Sequence, residues 1–582
     1  MSSWPRPAGT SGDIKLVRTN LGTARLDPRD CPSKRSSDAR PMLTAYPAPA
    51  EHAETLQDFT LKVFMDALDL IEHDCRDPEE VIEELRRTNG TFGLYRRREA
   101  HPLLLSWSAA AVRRFVTARL SDQRARRAAG LPLTVPVRDA WALRAGPRPV
   151  DARGADTYET TAWGRRFAAL DGSTRELWLL SFGAAKDGRP EAEAAVAAYV
   201  AARGRPVSGG WKKRYAVVPA ERLEPHRTAF PGRVRVIEFG CGDGAYKELL
   251  DWNQQEVRQH FTADGWPALS EAIDGTGTRP GSSCVDCKTL ASCDAIARTP
   301  DLLTIAPPEP RRPRRSLSVT DLRAYRDCPA KFHATRQLKL RSAKPESPEV
   351  RRGRVVDDVL NLRHGGTPYR SCAKFPGPAD PASWGSGALQ LSGKEARDGA
   401  AMLEQHGFYC PLDGLDAAEE VRVQYQVACY DPGLDLVLIA TPDLLHTRNG
   451  GWVWRETKTA SRYLYEGESL MKRYPQLALG VLMLAAGVLG GDAKRSRVEL
   501  ELLHTDDVTF EELDPSRPRA VDEAREVIAE LARPWIGDRN YPAAPGRHCN
   551  SCEALEWCRP GNEHLVTTEN RTRNTAEAER EF

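Results

Sequence analysis

The chain has 582 residues, of which 41% are hydrophobic and 28% are charged, and its formal net charge is +2. This length predicts more than one domain, and the composition is ordinary for a folded protein. The nearly balanced charge excludes a strong overall field for nucleic acid, so that any nucleic-acid-binding surface must be local.

The first residues lack the apolar core of a signal peptide, and the longest apolar run, residues 477–491, is too short to span a bilayer. We therefore expect a cytoplasmic enzyme without a membrane partner. Thirteen cysteines in such a protein argue against a disulfide framework. Most of them fall into two groups of four. We expect the others to be isolated, buried apolar residues: Cys75, Cys241, Cys372, Cys410 and Cys429.

The first cysteine group spans the first half of the chain. Cys31 lies in the sequence RDCPSK, and Cys284, Cys287 and Cys293 follow with the spacing C-x2-C-x5-C. The hydrophobic pattern between them predicts strands and one helix. The predicted strands are 158–170, 175–182 and 233–239, and the predicted helix is 191–202.

Residues 306–315, with the sequence APPEPRRPRR, divide the chain roughly in half. Proline cannot continue a helix or an interior strand, so we predict a linker here. Two alternatives stay open for its arginines, which either contact backbone phosphates or are simply solvated. These arginines are Arg311, Arg312, Arg314 and Arg315.

The second cysteine group repeats the arrangement of the first. Cys328 lies in RDCPAK, and Cys549, Cys552 and Cys558 again have the spacing C-x2-C-x5-C. The pattern between them predicts a mixture of helices and strands, followed by a flexible polar tail over 561–582. The predicted helices are 318–336, 350–364, 471–488 and 520–532, and the predicted strands are 421–430, 435–446, 451–459 and 497–503.

The two halves match beyond their cysteines. Glu238 and Glu501 lie in similar apolar strands, and the same number of positions separates Asp251 from Asp514. The number of positions between a cysteine of the first group and its counterpart in the second group varies slightly, as a duplication with loop insertions would give. We therefore predict two tandem modules, 1–305 and 316–560; the alternative is two independent cysteine clusters.

Residues 434–459 carry the candidate catalytic motif. Asn449-Gly450 lies between two strand-like runs and is a strong hairpin signal, because both turn positions need a positive φ. A two-residue turn there places Asp443 opposite Glu456, with Cβ atoms about 4.5–5.5 Å apart. Alternation along the strand places Lys458 on the same face as Glu456.

Two opposed carboxylates repel each other unless a proton or a cation lies between them. Hard divalent cations prefer such oxygen ligands, and a nearby ammonium can orient a water molecule. This combination suits metal-assisted cleavage of a phosphodiester. The alternative is an exposed hairpin that carries a surface Glu/Lys pair.

The second half resembles the PD-(D/E)xK nuclease superfamily, and within it the RecB-like and AddB-like nucleases that carry an iron–sulfur cluster. Pro442-Asp443 and Glu456-Thr457-Lys458 match the namesake motif, and the second cysteine group matches the cluster ligands in order and spacing. The resemblance covers about residues 316–560. It implies a restriction-endonuclease-like fold, α/β (α+β) with a mixed sheet.

The resemblance also implies roles for residues. Asp443 and Glu456 would bind Mg²⁺ or Mn²⁺, Lys458 would support the attacking water, and Gln476, in Tyr-Pro-Gln, would orient the substrate or the lysine. The family usually has a helical Gly-x3-His whose histidine binds metal. Here Gly353 is followed by Asp357, which we expect to serve as the third metal ligand. The tyrosine that the family has four residues after the glutamine is Gly480 here.

The first half has no comparable motif. Its hairpin around Asp171-Gly172 leads to Ser181 and Gly183 near where the Glu and Lys would stand. We predict a degenerate nuclease-like module that has kept its cysteines and lost its catalytic residues. The alternative is an unrelated domain.

Four thiolates bind either zinc or an iron–sulfur cluster, and spacing alone does not decide between them. Zinc sites more often use two short C-x2-C pairs, whereas one distant cysteine with three clustered ones is the arrangement of the resembled nucleases. We predict a [4Fe–4S] cluster in the second half and a second one in the first, with zinc as the alternative. In either case, loss of the metal should unfold the module.

These motifs predict a metal-dependent DNA nuclease, specifically an exonuclease on single-stranded ends in DNA repair, recombination or phage defence. The alternative is a catalytically inactive iron–sulfur subunit that binds DNA or acts as a scaffold. The sequence contains no GxxxxGK[ST] phosphate loop and therefore no ATP motor of that type. The resemblance implies a helicase or another DNA-processing protein as partner.

Overall fold

A computed structural model describes residues 4–46, 55–87, 98–145, 157–210, 213–219, 221, 223, 230–340, 346–460, 464, 467 and 469–578, the last ten of these by their backbone alone. Among the described residues, no helix combines the length and the apolar composition that crossing a bilayer requires.

The first half mixes strands and helices. Its strands are β1 (Thr10–Ser11), β2 (Leu16–Thr19), β3 (Thr44–Ala45), β4 (Thr134–Pro136), β5 (Ala140–Ala145), β6 (Thr157–Thr161), β7 (Arg165–Ala169), β8 (Thr174–Ser181), β9 (Arg205–Ser208), β10 (Ala216–Val217), β11 (Arg233–Gly240), β12 (Tyr246–Asn253) and β13 (Ala297–Arg298). Its helices are α1 (Leu21–Ala24), α2 (Pro32–Asp38), α3 (Lys62–Glu72), α4 (Pro78–Arg87), α5 (Pro102–Ala128), α6 (Glu191–Arg203), α7 (Gln254–His260) and α8 (Trp266–Asp274).

A five-stranded sheet in the order β12-β11-β8-β7-β4 forms the centre of the first half. Strands β8 and β11 are parallel, and the other neighbours are antiparallel. The parallel pair requires a crossover, which α6 provides with an alanine-rich buried face. A second sheet has the order β10-β9-β5-β6-β2, in which β2 and β6 are parallel.

The second half also mixes strands and helices. Its strands are β14 (Arg315–Leu317), β15 (Ser383–Ser386), β16 (Leu389–Ser392), β17 (Val421–Val423), β18 (Val427–Asp431), β19 (Leu436–Ala440), β20 (Leu444–Arg448), β21 (Gly451–Thr459), β22 (Arg497–Leu503) and β23 (Val508–Leu513). Its helices are α9 (Val319–Asp327), α10 (Pro329–Phe332), α11 (Pro348–His364), α12 (Gly393–Tyr409), α13 (Leu470–Arg473), α14 (Pro475–Ala485), α15 (Pro518–Gly537) and α16 (Arg559–Ala578).

The central sheet of the second half has the order β17-β20-β21-β22-β23. Strands β21 and β22 are parallel, and the other neighbours are antiparallel. The apolar helix α14 lies in the crossover between the two parallel strands and is buried on nearly every side. Both halves therefore contain a five-stranded sheet with the same sequence of strand directions and one helical crossover.

The predicted elements agree best with the structure at the centre of this sheet. The predicted strands 451–459 and 497–503 are β21 and β22. The predicted helix 318–336 is interrupted at Cys328-Pro329, and the helix 471–488 is interrupted at Pro475, because proline cannot donate the backbone hydrogen bond that continues a helix. Most of the predicted tail 561–582 is instead helical, as part of α16.

The end of the Pro/Arg segment, residues 312–315, packs against the second half, whereas most residues from 306 to 311, including Arg311, are exposed. The Arg312 side chain is buried and donates to the Tyr541 hydroxyl at 3.2 Å. Arg314 pairs with Asp435 at 2.7 Å, and the Arg315 guanidinium lies 3.9 Å from the centre of the Trp535 ring. These arginines hold the segment in place instead of offering free charges to a nucleic acid.

The two halves share structure on both sides of this segment. Strand β13 of the first half pairs with β18 and extends the four-stranded sheet β13-β18-β19-β14 of the second half. One hydrophobic core joins the helices α3 to α5 to Cys552 and Trp557 near the end of the chain. The halves are therefore interlocked, each packing against the other's cysteine group.

Candidate active site

The predicted hairpin is present and has the predicted register. Asn449 and Gly450 form the turn with φ values of 53° and 82°, and Leu444 pairs with Arg455. The next pair in this register is Asp443 and Glu456. The Thr457 backbone N–H donates to Asp443 Oδ2 at 2.7 Å, which holds the carboxylate against the strand.

Lys458 joins the two carboxylates of the hairpin. Its Nζ lies 2.8 Å from Asp443 Oδ2 and 3.1 Å from Glu456 Oε2. The other oxygen of Glu456 accepts a hydrogen bond from Trp454 Nε1 at 3.2 Å. The structure therefore brings together the three residues that the sequence placed on this hairpin.

The charges of this cluster are strongly coupled. Burial raises the pKa of Glu456 to about 7; the Lys458 ammonium opposes this shift and the charge of Asp443 adds to it. Burial lowers the pKa of Lys458, but Glu456 and Asp443 outweigh burial and raise it above its ordinary value. At neutral pH, Lys458 is therefore an ammonium that donates hydrogen bonds, not a base.

Asp357 reaches the cluster from helix α11. The helix passes close to β21 at Gly353, where an added Cβ would lie 3.2 Å from Thr459 Oγ1, and Asp357 follows one turn later. Burial, followed by the charge of Asp443, raises the pKa of Asp357 to about 6.

The Gln424 amide connects Asp357 to Asp443. Its Nε2 donates to Asp357 Oδ1 at 3.2 Å and to Asp443 Oδ1 at 3.2 Å. Gln424 has a φ of 48° and lies between β17 and β18, where the sequence predicted one unbroken strand over 421–430. No local pattern distinguishes this glutamine from its neighbour Gln426, so sequence reasoning missed it.

Gln476 faces the same cavity as the hairpin residues. It lies in the first turn of α14, and the cavity, of about 490 Å³, is lined by Asp443, Glu456 and Lys458 as well. Two exposed arginines, Arg323 and Arg336, lie on its walls. The cavity thus combines carboxylates, one ammonium and positive charge at the rim.

The donor set fits a hard divalent cation. Asp357, Asp443 and Glu456 offer only oxygen ligands, and burial, with the charge of Asp443 adding to it, raises the pKa values of Asp357 and Glu456. The Gln424 amide group, a donor shared by two carboxylates, occupies the kind of position that a cation would take.

The second cysteine group converges on one small pocket. Cys328, Cys549, Cys552 and Cys558 all line it. Backbone N–H groups of Ala544 and Gly546 donate to the sulfurs of Cys328 and Cys549, each at 3.4 Å. Such donors stabilise thiolates that bind a metal or a cluster.

The first cysteine group repeats these contacts. Backbone N–H groups of Arg279 and Gly281 donate to the sulfurs of Cys31 and Cys284, at 3.4 and 3.5 Å. Burial raises the pKa of Cys284 to about 11, and charge on Cys287, Cys31 and Cys293 adds to the shift. A positively charged group among these four sulfurs would stabilise their thiolate forms.

Strand pairing identifies the corresponding positions in the first half. Thr457 pairs with Glu501 on β22, and Leu179 pairs with Glu238 on β11, so that an alignment of the halves on these two glutamates would set Trp178 and Leu180 against Glu456 and Lys458. This alignment lies three positions from the expected one, which set Ser181 and Gly183 near the Glu and Lys. Arg165 pairs with Trp178 and would then correspond to Asp443.

Two of the cysteines that we expected to be isolated are not. Cys372 and Cys410 lie in a buried group with His364 and His406, and their potential ligand atoms all lie within 4.8 Å of one another. Cys75 is exposed, although we expected it to be buried. The spacing His406-x3-Cys410, on one side of a helix end, was the signal that could have revealed the group.

None of the curated proteins compared with the chain matches it. A family comparison, by contrast, finds a match in the second half that includes the hairpin, α14 and the second cysteine group. Proteins of this superfamily cleave phosphodiesters with divalent metals. Residues 316–559 match the PD-(D/E)XK nuclease superfamily and have its fold.

Proposed function

We propose that the protein is a cytoplasmic, divalent-cation-dependent DNA nuclease whose catalytic residues are Asp443, Glu456, Lys458 and Gln476. The observation that carries the proposal is the position of Lys458 Nζ, 2.8 Å from Asp443 and 3.1 Å from Glu456 in a cavity open to solvent. The alternative is a surface Glu/Lys ion pair on an exposed hairpin. Glu456 is only 5% exposed, which does not fit a surface pair.

Asp357, Asp443 and Glu456 would hold Mg²⁺ or Mn²⁺. When bound, the ion lowers the pKa of a water molecule and neutralises charge on the phosphate. Lys458 donates a hydrogen bond to the attacking water and orients it, since its ammonium form persists at neutral pH. Gln476, in the first turn of α14, lines the same cavity and would orient the scissile phosphate or Lys458.

We propose that the substrate is a single-stranded DNA end and the reaction exonucleolytic, in repair, recombination or phage defence. The support is that residues of several elements line the cavity, which is open to solvent and has a volume of about 490 Å³. Arg323 offers a charge for a backbone phosphate, whereas Arg336 is paired with Asp321 at 2.7 Å. Ser282 of the first half also lines it, and its backbone N–H donates to Gln426 Oε1 at 2.8 Å, so that the first half closes one side.

We propose that the first half is a degenerate duplicate, giving two tandem restriction-endonuclease-like modules, 1–305 and 316–560. Its support is the shared strand order and the repeated contacts of the cysteine sulfurs. Where the second half has Asp443, Glu456 and Lys458, the first has Arg165, Trp178 and Leu180. These side chains cannot bind a divalent cation, so the first half would serve as structure.

We propose a [4Fe–4S] cluster in each cysteine group, with zinc as the alternative. The ligands of a tetrahedral zinc ion lie less than about 4 Å apart, because Zn–S bonds are about 2.3 Å long. In the described part of the chain, the potential ligand atoms of His364, Cys372, His406 and Cys410 lie within 4.8 Å of one another, and neither cysteine group forms a set that tight. A wider cluster is consistent with this spacing.

The second candidate function is an inactive iron–sulfur subunit that binds DNA or supports a helicase or another DNA-processing partner. The observation that favours it is Gln424, whose amide already bridges two of the proposed metal ligands. Asp357 in place of the superfamily's usual histidine points in the same direction.

Nuclease assays on single-stranded DNA with Mn²⁺ distinguish the two candidates. We expect Lys458→Ala to lower the rate by about 10²–10³-fold, because it removes the donor to the attacking water. Lys472→Ala, which changes an exposed lysine outside the cavity, is the matched control and should keep the wild-type rate. Equal rates for wild type and Lys458→Ala would refute the nuclease proposal.

Anaerobic purification followed by iron and sulfide analysis tests the clusters. Two [4Fe–4S] clusters predict about eight iron and eight sulfide ions per chain. A colourless protein that contains no iron, with zinc bound to both cysteine groups, would refute them without affecting the nuclease proposal.

A further inference from the structure

A second type of metal-ligating group lies in the core beside the central sheet of the second half. It consists of His364, Cys372, His406 and Cys410, which we call the His/Cys group. All four side chains are buried, with exposed fractions between 0% and 5%. Their potential ligand atoms all lie within 4.8 Å of one another.

Two helix ends bring these residues together. His364 is the last residue of α11, and Cys372 begins a short 3-10 turn that follows it. His406 lies in the last turn of α12, and Cys410 directly follows that helix, so that they share one side of the helix end. Apolar side chains, among them Leu360, Met402 and Leu503, surround the group.

The distances within the group resemble those of ligands on one small ion. His364 Nε2 lies 3.1 Å from His406 Nε2 and 3.8 Å from Cys410 Sγ. Tetrahedral zinc, with bonds of about 2.0–2.1 Å to nitrogen and about 2.3 Å to sulfur, separates two nitrogens by about 3.3 Å and a nitrogen from a sulfur by about 3.6 Å.

The outer contacts also suit metal-bound histidine. His406 Nδ1 lies 2.8 Å from Glu501 Oε1, and both side chains are fully buried. A carboxylate that accepts from Nδ1 leaves the lone pair of Nε2 directed at the other members of the group. Glu501 is held in turn by Thr457 Oγ1 at 3.0 Å, between the two catalytic residues of β21.

We propose that the His/Cys group binds one Zn²⁺ through two thiolates and two imidazoles. Thiolate and imidazole ligands in tetrahedral positions favour zinc over Mg²⁺ or Mn²⁺, which prefer oxygen. Two thiolates balance the charge of the ion, and binding releases the two thiol protons. Four protein ligands leave no open position, so the site is structural.

This site is distinct from the proposed cation site and from both cysteine groups, and it does not depend on the proposed function. The bound ion would link the end of α11 to the end of α12. Asp357 lies two turns before His364 on α11, so this link would also hold in place the helix that carries Asp357.

Zinc analysis of cysteine variants tests the proposal. We expect the double variant Cys372→Ala/Cys410→Ala to contain about one zinc per chain less than the wild type and to have a lower melting temperature. Cys429→Ala, which changes a fully buried cysteine outside the group, should keep the zinc. Equal zinc contents in the double variant and the Cys429→Ala control would overturn the proposal.

A measurement on the wild-type protein covers the case in which the double variant does not fold. Zinc-edge X-ray absorption should detect nitrogen as well as sulfur ligands, with two of each at this site. Detection of sulfur ligands alone, as from zinc in the cysteine groups, or a protein purified without zinc would overturn the proposal.

Discussion

Asp357 determines how many carboxylates face the proposed cation. The resemblance to the superfamily sets it against a histidine that usually binds metal, and the Gln424 amide connects it to Asp443. A carboxylate and an imidazole can both bind Mn²⁺, so the substitution changes the ligand type without necessarily removing a ligand.

Replacement of Asp357 tests whether it binds the cation. We expect Asp357→Ala to raise the Mn²⁺ concentration needed for half-maximal cleavage by about tenfold or more, because a ligand is lost. Asp357→His should stay near the wild-type value, since it supplies an alternative ligand. Identical Mn²⁺ titrations for all three proteins would show that Asp357 is not a ligand.

At the scale of residues, the sequence predicted the site residues whose positions follow from the local geometry of the chain. Asn449 and Gly450 determine the turn, and the turn determines which residue faces Glu456. Gln424 and Glu501 were missed because their positions depend on how separate strands meet. Glu501 nevertheless had a signal, since Glu238 is its match in the first half and is equally buried.

Helix α14 and strand β21 fit closely at Gly480. A Cβ at this position would lie 3.1–3.2 Å from the ring of Trp454, which is fully buried and donates to Glu456. Gly480 therefore allows the crossover helix to approach β21, and Trp454 fills the space that a larger residue on the helix would need.

Substitution at this contact should destabilise the protein. We expect Gly480→Ala to lower the free energy of unfolding by about 1–3 kcal/mol, because the buried Trp454 ring must move. Gly537→Ala, at the exposed end of α15 with open space around it, is the control and should have little effect. Urea unfolding measures both, and equal stabilities would contradict the tight contact.

At the scale of elements, periodicity located the buried strands and the crossover helix. It failed where chain geometry breaks a periodic run. The predicted strand 421–430 divides into β17 and β18 around Gln424, which has a positive φ, and the predicted strand 435–446 divides into β19 and β20. The His/Cys group was missed because its members belong to two helix ends that only the fold brings together.

The whole molecule is held together by reciprocal contacts between its halves. The first cysteine group packs against β18 and β19 of the second half, and the second group packs against helices of the first. His101, which caps α5, accepts a hydrogen bond from the Leu103 N–H and contacts the Tyr541 carbonyl oxygen at 3.0 Å. His333 of the second half stacks on the Tyr541 ring, and its ring centre lies 5.1 Å from that of His101 of the first half.

The buried His333 side chain should make the stability of the protein depend on pH. Burial, followed by the nearby His101, lowers the pKa of His333 to about 4 from its ordinary value of 6.5. Because the unfolded state binds the proton more readily, the contribution is complete above about pH 6.5 and is lost as pH falls toward 4. We expect His333→Gln to remove about 2 kcal/mol of the stability lost between pH 7 and pH 5.

Urea unfolding of wild type and His333→Gln at these two pH values measures the effect. A wild-type loss of stability that is unchanged in the variant would assign it to other groups.

At the scale of the whole chain, the repeated cysteine spacing predicts a correspondence between the halves, and it did not predict their interlocking. Spacing carries no information about which surfaces meet. Strand β13 joins the sheet of the other half through backbone pairing. Backbone hydrogen bonds do not depend on which side chains the strand carries, so the sequence gives no signal for this pairing. The Pro/Arg segment was predicted as a linker from its prolines, whereas the contacts of its arginines depend on Tyr541, Asp435 and Trp535, far away in the sequence.

The central claim is that the second half cleaves DNA with a divalent cation while the first half supports it. Anaerobic incubation with end-labelled single- and double-stranded DNA and Mn²⁺ tests this claim most directly. We predict progressive shortening of single-stranded ends, abolished by chelation of Mn²⁺ and by Glu456→Gln. Intact DNA of both kinds after incubation with protein that retains its iron and zinc would contradict it and favour the scaffolding subunit.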